Sequence, residues 1–260
     1  MVYHTLQLEF SGAIATITLN RPEKRNAIST QMIAELFSAF DHVETNSARV
    51  LLVTGAGKAF CAGMDLDELK SIAAQSPVEH LEDARRIARL YRRIWSFPKP
   101  TIAAVNGPAI AGGCGIATLC DFTISVPEAT FGYPEVRIGF LPAVVSVFLT
   151  RQVGEKHARD LLLTGRIVGA SEAQRLGLIT KTAPAGDLMN AARVLADSLL
   201  GSSPASLRQA KKLLCDRAAP EIDRELELAT AEGARIRSTA DFREGLASFL
   251  EKRPPRWTSK

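Results

Sequence analysis

Apolar and polar positions recur first with the period of strands and then with that of a helix. Tyr3–Phe10 and Ala13–Leu19 alternate apolar and polar residues around Ser11-Gly12, which predicts a hairpin with one buried face. Ser29 suits the N-cap of a helix that runs to about Glu44, because the apolar residues of that segment fall on one stripe. The chain is therefore expected to begin with a β-hairpin and an amphipathic helix.

Two apolar strands are each followed by glycine-bearing segments. Val50–Thr54 and Thr101–Val105 are unbroken apolar runs, typical of strands buried on both faces. Gly55–Leu66 follows the first, and Asn106–Gly115 follows the second and opens a buried helix. Loops after neighbouring strands meet at one edge of an α/β sheet, where ligands bind. The glycines either allow close helix–sheet packing or let a ligand approach free backbone amides; both interpretations stay open here.

The second half of the chain becomes helical. Phe122–Val126 is a predicted strand, Pro142 begins a predicted helix that Gly154 ends, and Glu155–Thr164 predicts another. From Asp187 onward the pattern is helical almost to the end, with breaks expected at Pro204 and Pro220. We therefore predict an α/β core over residues 1–190 and a helical region over residues 191–260.

Composition narrows the class of protein. The 260 residues, 46% of them hydrophobic, suit an enzyme-sized domain with an appendage. The net charge of +4 is compatible with a small anionic ligand. No basic patch interleaved with aromatic residues occurs, so we expect no nucleic-acid partner. No run is long enough to span a membrane, and no signal peptide is visible, so we expect a cytoplasmic protein.

Several kinds of reactive site are excluded by spacing. The four cysteines lack the spacing of a metal site or a disulfide framework, and we expect buried thiols in a reducing compartment. The loop at Lys58 lacks the glycine and hydroxyl residues of a phosphate-binding P-loop. The histidines lie on the hairpin and on helices predicted to face outward, so none pairs with a nucleophile. These are His4, His42, His80 and His157.

Several linked motifs resemble the crotonase family of enoyl-CoA hydratases and isomerases, in the same order and over nearly the whole chain. They are Asn20-Arg21-Pro22 with Asn26-Ala27, Lys58–Leu66, Asn106-Gly107 through Gly112-Gly113-Cys114, Cys120-Asp121, and Phe131-Gly132-Tyr133-Pro134-Glu135. The resemblance implies a spiral core of ββα units followed by a helical trimerisation region. It also implies an acyl-CoA thioester substrate, no separate cofactor or metal, and a homotrimer or a dimer of trimers.

The resemblance assigns roles to three residues. The thioester oxygen is expected to be held by the backbone amides of Met64 and Gly112, and Glu135 is the expected acid/base. Two preorganised amides of this kind stabilise the enolate charge that develops when a proton moves at the α-carbon. Hydratases of the family commonly carry another glutamate just after Gly-Gly-Cys, and here that residue is Gly115.

Positions matching the family's CoA and acyl contacts complete the predicted site. The predicted CoA-binding residues are Arg21, Lys24, Arg25, Ala62, Asp65, Leu66, Phe249 and Lys252. For the charged residues among them, a solvated surface is the alternative interpretation, and Asp65 also suits a helix N-cap. Val144 and Val145 are predicted to line the acyl pocket and to favour short or branched chains, or else to face the core.

Three functions remain open at this stage. The first is hydration of a 2-enoyl-CoA. The second is isomerisation of a 3-enoyl-CoA to a 2-enoyl-CoA, which needs only one carboxylate because that group can carry a proton between two carbons. The third is non-catalytic binding of acyl-CoA or RNA on the same scaffold, for which the missing glutamate at Gly115 is the argument.

Overall fold

The structure is a computed structural model that describes residues 2–72 and 75–258. Strands and helices alternate as far as residue 182, and helices make up most of the chain after residue 187, as the sequence predicts. The strands are β1 Leu6–Ser11, β2 Ile14–Leu19, β3 Val50–Gly55, β4 Thr101–Val105, β5 Ala109–Ile110, β6 Phe122–Ser125, β7 Thr130–Gly132, β8 Ile167–Gly169 and β9 Lys181–Thr182. The helices are α1 Thr30–Thr45, α2 Leu66–Ile72, α3 Pro77–Trp95, α4 Gly112–Thr118, α5 Ala143–Thr164, α6 Ala170–Arg175, α7 Leu188–Leu200, α8 Pro204–Ile236 and α9 Ala240–Leu250.

The larger sheet carries the two predicted buried strands at its centre. Its strand order in the described residues is β1-β2-β3-β4-β6-β9. The predicted hairpin is confirmed, since β1 and β2 pair antiparallel, and the other neighbours pair parallel. Because β3 and β4 are adjacent and parallel, the glycine-bearing loops that follow them leave the same edge of the sheet.

A smaller sheet brings a distant segment to that edge. β5 pairs parallel with β7, with Ala109 opposite Phe131 and Ile110 opposite Gly132. A 3₁₀ turn over Pro134–Ile138 follows β7 directly. This pairing places Glu135 beside the start of α4, although more than twenty residues separate them in the sequence.

Two helices in the second half show how local sequence and packing compete. The backbone at Gly154 leaves the helical conformation (φ 75°, ψ 162°), so the expected break inside α5 is confirmed. The expected break at Pro220 is wrong, because α8 continues through it from Pro204 to Ile236. α8 packs against α3 and α5, and this packing offsets the backbone hydrogen bond that a proline cannot donate.

The predicted division between residues 190 and 191 falls inside α7. That helix packs on β3, β4 and β6, and its Ala192 and Ala196 are fully buried. The helical region therefore begins with an element that covers the larger sheet. Among the described residues, no helix combines the length and hydrophobicity that crossing a membrane requires.

Candidate active site

The two glycine-bearing loops pair with each other at Cys61 and Ala109, and the first of them also pairs with Ile28. The Ile28 N–H donates to the Gly63 carbonyl at 2.7 Å, and the Asp65 N–H donates to the Ile28 carbonyl at 2.9 Å. In such a parallel bridge the residue between the two partners, Met64, directs its own N–H to the opposite side. The Met64 amide is therefore not used by Ile28.

The second amide belongs to the first residue of α4. Gly112 has no acceptor within that helix for its N–H, because the first amides of a helix precede its hydrogen-bonding pattern. The preceding Ala111 has an unfavourable backbone conformation (φ 52°, ψ −125°), and its N–H donates to the Gly132 carbonyl at 2.8 Å. A methyl group added at Gly63 would lie 3.7 Å from the Gly112 nitrogen, so the two loops are in close contact.

Asn26 ties the early polar loop to the loop after β3. It is fully buried, and its side-chain nitrogen donates to the carbonyls of Ala56 and Ala59 at 2.9 and 2.8 Å. The Arg21 N–H donates to its side-chain oxygen at 2.9 Å, and the Ala62 N–H donates to the Arg25 carbonyl at 3.0 Å. This network explains why the motif around Asn26 accompanies the loop that carries Met64.

Both interpretations of the glycines apply, at different positions. A methyl group at Gly113 would overlap the Cys61 carbonyl, so this glycine allows α4 to pack closely on the neighbouring loop. Gly112 lies in the wall of a cavity, where its backbone is accessible to a ligand.

Glu135 is a buried carboxyl group with an unsatisfied oxygen. Its residue is 8% exposed, and its Oε2 atom has no hydrogen-bond partner in the described structure. Burial raises the pKa of Glu135 from 4.5 to about 7. A carboxyl group with a pKa near neutrality can both accept and donate a proton, which suits an acid/base role.

These groups share one cavity of about 470 Å³, which is largely apolar. It lies between the two loops, α3, the start of α5, and the C-terminal helices. The apolar side chains in its wall include Ile28, Met64, Leu69, Ile87, Ile110, Phe140, Leu141, Val144 and Val145. The charged side chains in its wall are Glu135, Arg137, Arg237 and Arg253.

The cavity brings together seven of the residues predicted from sequence. They are Ala62, Met64, Gly112, Glu135, Val144, Val145 and Phe249. Both valines line the cavity and also belong to the hydrophobic core, so the two alternatives for them coexist. Their effect on acyl-chain preference stays a prediction.

The predicted basic residues lie outside this wall. The Arg21 guanidinium donates to the buried Asp65 carboxylate at 2.7 Å. Asp65 also caps α2, because the Asp67 N–H donates to its Oδ1 at 2.9 Å. Lys24 forms an exposed ion pair with Asp67 at 3.0 Å.

Two further predicted CoA contacts, Arg25 and Lys252, also lie outside the cavity wall. Arg25 and Lys252 are exposed, and both have positive φ angles, of 52° and 55°. The Leu66 side chain lies outside the described part of the structure. Contact of these basic residues with CoA stays a prediction.

Among the wall residues that were not identified from sequence, two make hydrogen bonds or ion pairs that hold the site. Tyr91 lies on α3 with its hydroxyl 2.8 Å from the Gly112 carbonyl oxygen. Its position four residues after Ile87, on the inward stripe of α3, was the available signal. The second residue, Arg237, forms a buried ion pair with Asp83 at 2.6 Å. No motif marked that pair.

The structure also decides several secondary expectations. His80 is buried and donates from Nε2 to the Ile72 carbonyl at 2.8 Å, so its predicted outward orientation is wrong. Asp121 anchors a loop by accepting hydrogen bonds from the Thr101 N–H and the Lys211 ammonium. Burial raises the pKa of Cys61 to about 12, which favours a packing role.

Comparison with known proteins agrees with this geometry. A sequence model described as enoyl-CoA hydratase/isomerase matches residues 9–260. A Thermus thermophilus protein named "Putative enoyl-CoA hydratase" is 44% identical over 247 residues, covering 95% of this chain and 98% of its own length. The short-chain-enoyl-CoA hydratase of Clostridium acetobutylicum is 33% identical over 256 residues and covers 97% of each chain.

A solved structure confirms the architecture. An enoyl-CoA hydratase/isomerase from Xanthobacter autotrophicus Py2 superimposes with a TM-score of 0.90 at 30% identity. The superposition covers 99% of this chain and 100% of that one. With the family match, these similarities show that the chain has the crotonase fold and belongs to the enoyl-CoA hydratase/isomerase family.

Proposed function

We propose that this protein hydrates 2-enoyl-CoA thioesters, with Glu135 as the acid/base and the Met64 and Gly112 amides as the oxyanion hole. The observation that carries the proposal is a buried, partly unsatisfied carboxyl group with a pKa of about 7 that shares a cavity with those two residues. The relatives named as enoyl-CoA hydratases support the same reaction.

In the proposed reaction the Glu135 carboxylate takes a proton from water as the water oxygen bonds to C3 of the substrate. The electrons of the C2–C3 double bond move toward the thioester, and the two amides stabilise the negative charge on its oxygen. The protonated Glu135 then returns its proton to C2. One carboxyl group thus serves both steps on the same face of the substrate, and atoms and charge balance.

We also propose the substrate class, the assembly and the compartment of the protein. Acyl-CoA is the substrate, and the proposed steps use no separate cofactor. We propose a homotrimer or a dimer of trimers, supported by exposed leucines on α8 such as Leu213 and Leu228. A cytoplasmic location is supported by the four free cysteines.

Isomerisation of 3-enoyl-CoA to 2-enoyl-CoA is the second candidate function. The observation that favours it is Gly115, because the site lacks a carboxylate there that would help orient a water molecule. Glu135 alone would remove a proton from C2 and return it to C4, with the same enolate stabilised by the same amides.

Two substrates distinguish these functions. Purified protein is supplied with crotonyl-CoA and, separately, with a 3-enoyl-CoA, and products are resolved by chromatography. The proposal predicts formation of 3-hydroxyacyl-CoA from crotonyl-CoA. Rapid double-bond migration without detectable water addition would overturn hydration in favour of isomerisation. Absence of both products would overturn both functions.

A further inference from the structure

Tyr91 packs its ring against the first turn of α4. The residue is 1% exposed, and its hydroxyl donates to the Gly112 carbonyl at 2.8 Å. A methyl group added to Gly115 would lie 2.8 Å from both the Cζ atom and the hydroxyl oxygen of Tyr91. These distances are shorter than non-bonded contacts allow, so the ring occupies the volume that a side chain at residue 115 would need.

The Tyr91 hydroxyl is a permanent donor at neutral pH. Burial, and next the nearby charge of Glu135, raise the pKa of Tyr91 well above its ordinary value of 10. The hydroxyl therefore stays protonated where Glu135 titrates. Tyr91 also lines the same cavity as Glu135 and Gly112.

Gly112 needs support of this kind because of the residue before it. Ala111 has the unfavourable backbone conformation described above, and its N–H is held by the Gly132 carbonyl. The Tyr91 hydrogen bond fixes the other side of Gly112, at its carbonyl. These two contacts hold the peptide groups on either side of the Ala111–Gly112 peptide, and the Ala111 carbonyl of that peptide accepts from the Gly115 N–H at 3.1 Å. The Gly112 N–H therefore lies in a peptide that is held at its carbonyl and at both neighbouring peptide groups.

We propose that Tyr91 is a positioning residue, which orients the Gly112 amide toward the thioester oxygen and whose ring keeps Glu135 as the single carboxylate beside α4. This inference rests on the proposed function, because Gly112 and Glu135 act in that reaction. In this arrangement the Tyr91 ring fills the space that a glutamate side chain at residue 115 would occupy.

The positioning role of the Tyr91 hydroxyl is tested by comparing Tyr91→Phe with the matched control Tyr133→Phe. Tyr133 is also 1% exposed, and its hydroxyl interacts with Thr118 Oγ1, at 3.3 Å, and with the Cys114 side chain, but not with the Gly112 carbonyl. We expect Tyr91→Phe to lower kcat about tenfold or more with KM within twofold, since a misdirected donor affects the transition state more than binding. Tyr133→Phe should lower kcat much less, because the hydroxyl that it removes does not bond the Gly112 carbonyl. Equal kcat losses in both variants would overturn the positioning role.

A spectroscopic measurement separates this inference from the proposed function. Cinnamoyl-CoA absorbs at longer wavelength when its carbonyl is polarised by hydrogen-bond donors. We expect the wild-type protein to shift this band and Tyr91→Phe to shift it less at equal saturation. A full shift in Tyr91→Phe would contradict the proposal. Because the measurement needs no turnover, it tests Tyr91 even if neither enoyl-CoA reaction is observed.

Gly115→Glu, alone and combined with Tyr91→Ala, tests whether the Tyr91 ring fills the space of a side chain at residue 115. Overpacking against the ring should lower the Tm of Gly115→Glu by roughly 3–10 °C. In the double variant the glutamate enters the space that the ring leaves, so we expect a smaller loss of Tm than the sum of the two single losses. Additive losses, or an unchanged Tm in Gly115→Glu, would overturn the proposed exchange of volume.

Discussion

At the scale of single residues, the environment of Glu135 sets its chemistry. The buried carboxyl group lies in the wall of a largely apolar cavity. Burial alone accounts for the rise of its pKa from 4.5 to about 7. As the base in hydration Glu135 must be ionised, so kcat/KM is expected to rise with pH through about 7.

The same shift predicts how Glu135 affects stability. Below pH 4.5 the group is protonated in both the folded and unfolded states, and it has no effect. As the pH rises to about 7, the unfolded state ionises first, so the folded state is destabilised by up to roughly 3 kcal/mol. Glu135→Gln should therefore be more stable than wild type at pH 8, and this difference should shrink as pH falls from 7 toward 4.5.

Urea unfolding at pH 8 and pH 5 measures this difference. Glu128→Gln, which changes an exposed carboxylate, is the matched control and should show little pH-dependent change relative to wild type. A Glu135→Gln advantage that is the same at both pH values would show that ionisation of Glu135 does not destabilise the fold.

At the scale of elements, we expect kcat to depend on the distance between the two glycine-bearing loops. Gly63 has a φ of 92°, and a methyl group there would lie 3.0 Å from the Ala111 Cβ. Gly63→Ala should separate the Met64 and Gly112 amides and lower kcat about 10²-fold. Gly12→Ala is the control, because Gly12 also has a positive φ, of 59°, but a methyl group there contacts nothing within 4 Å. Similar kcat values for the two variants would contradict the close loop spacing.

The start of α5 carries the prediction on acyl-chain length. Val144 and Val145 line the cavity beside Glu135, and each methylene of substrate in such a pocket is worth about 1–3 kcal/mol of discrimination. We expect a higher kcat/KM for a four-carbon than for a twelve-carbon enoyl-CoA, and Val144→Ala should narrow that ratio. Val147→Ala, in the core outside the cavity wall, should leave it unchanged. A tenfold preference for the longer chain in wild type would contradict this prediction.

Sequence patterns predicted these elements where the cause is local. The hairpin follows from alternation around Gly12, and the break in α5 follows from Gly154. The break predicted at Pro220 is wrong, because the packing of α8 against α3 and α5 outweighs the local tendency of proline to end a helix. The helical stripe of α3 marks Tyr91 only as an inward-facing residue. Its contact with Gly115 is tertiary, and the sequence around neither residue specifies that contact.

At the scale of the whole molecule, the exposed leucines of α8 predict assembly. Leu213 and Leu228 are 67% and 60% exposed, whereas Leu226 on the same helix and Leu246 on α9 are buried within the chain. Sedimentation should give a species of three or six times 28.1 kDa. Leu228→Lys should weaken that species if its face is the interface. A stable monomer of the wild-type protein at micromolar concentration would contradict the predicted assembly.

The central claim is that Glu135 performs the proton transfers of hydration. Its most direct test is crotonyl-CoA hydration by wild type and Glu135→Gln, with acyl-CoA binding measured in parallel by calorimetry. We expect the variant to bind with a Kd within about threefold of wild type but to lose a factor of about 10²–10⁴ in kcat, the usual contribution of a general acid/base. Unchanged turnover in Glu135→Gln would show that Glu135 does not perform the proton transfers.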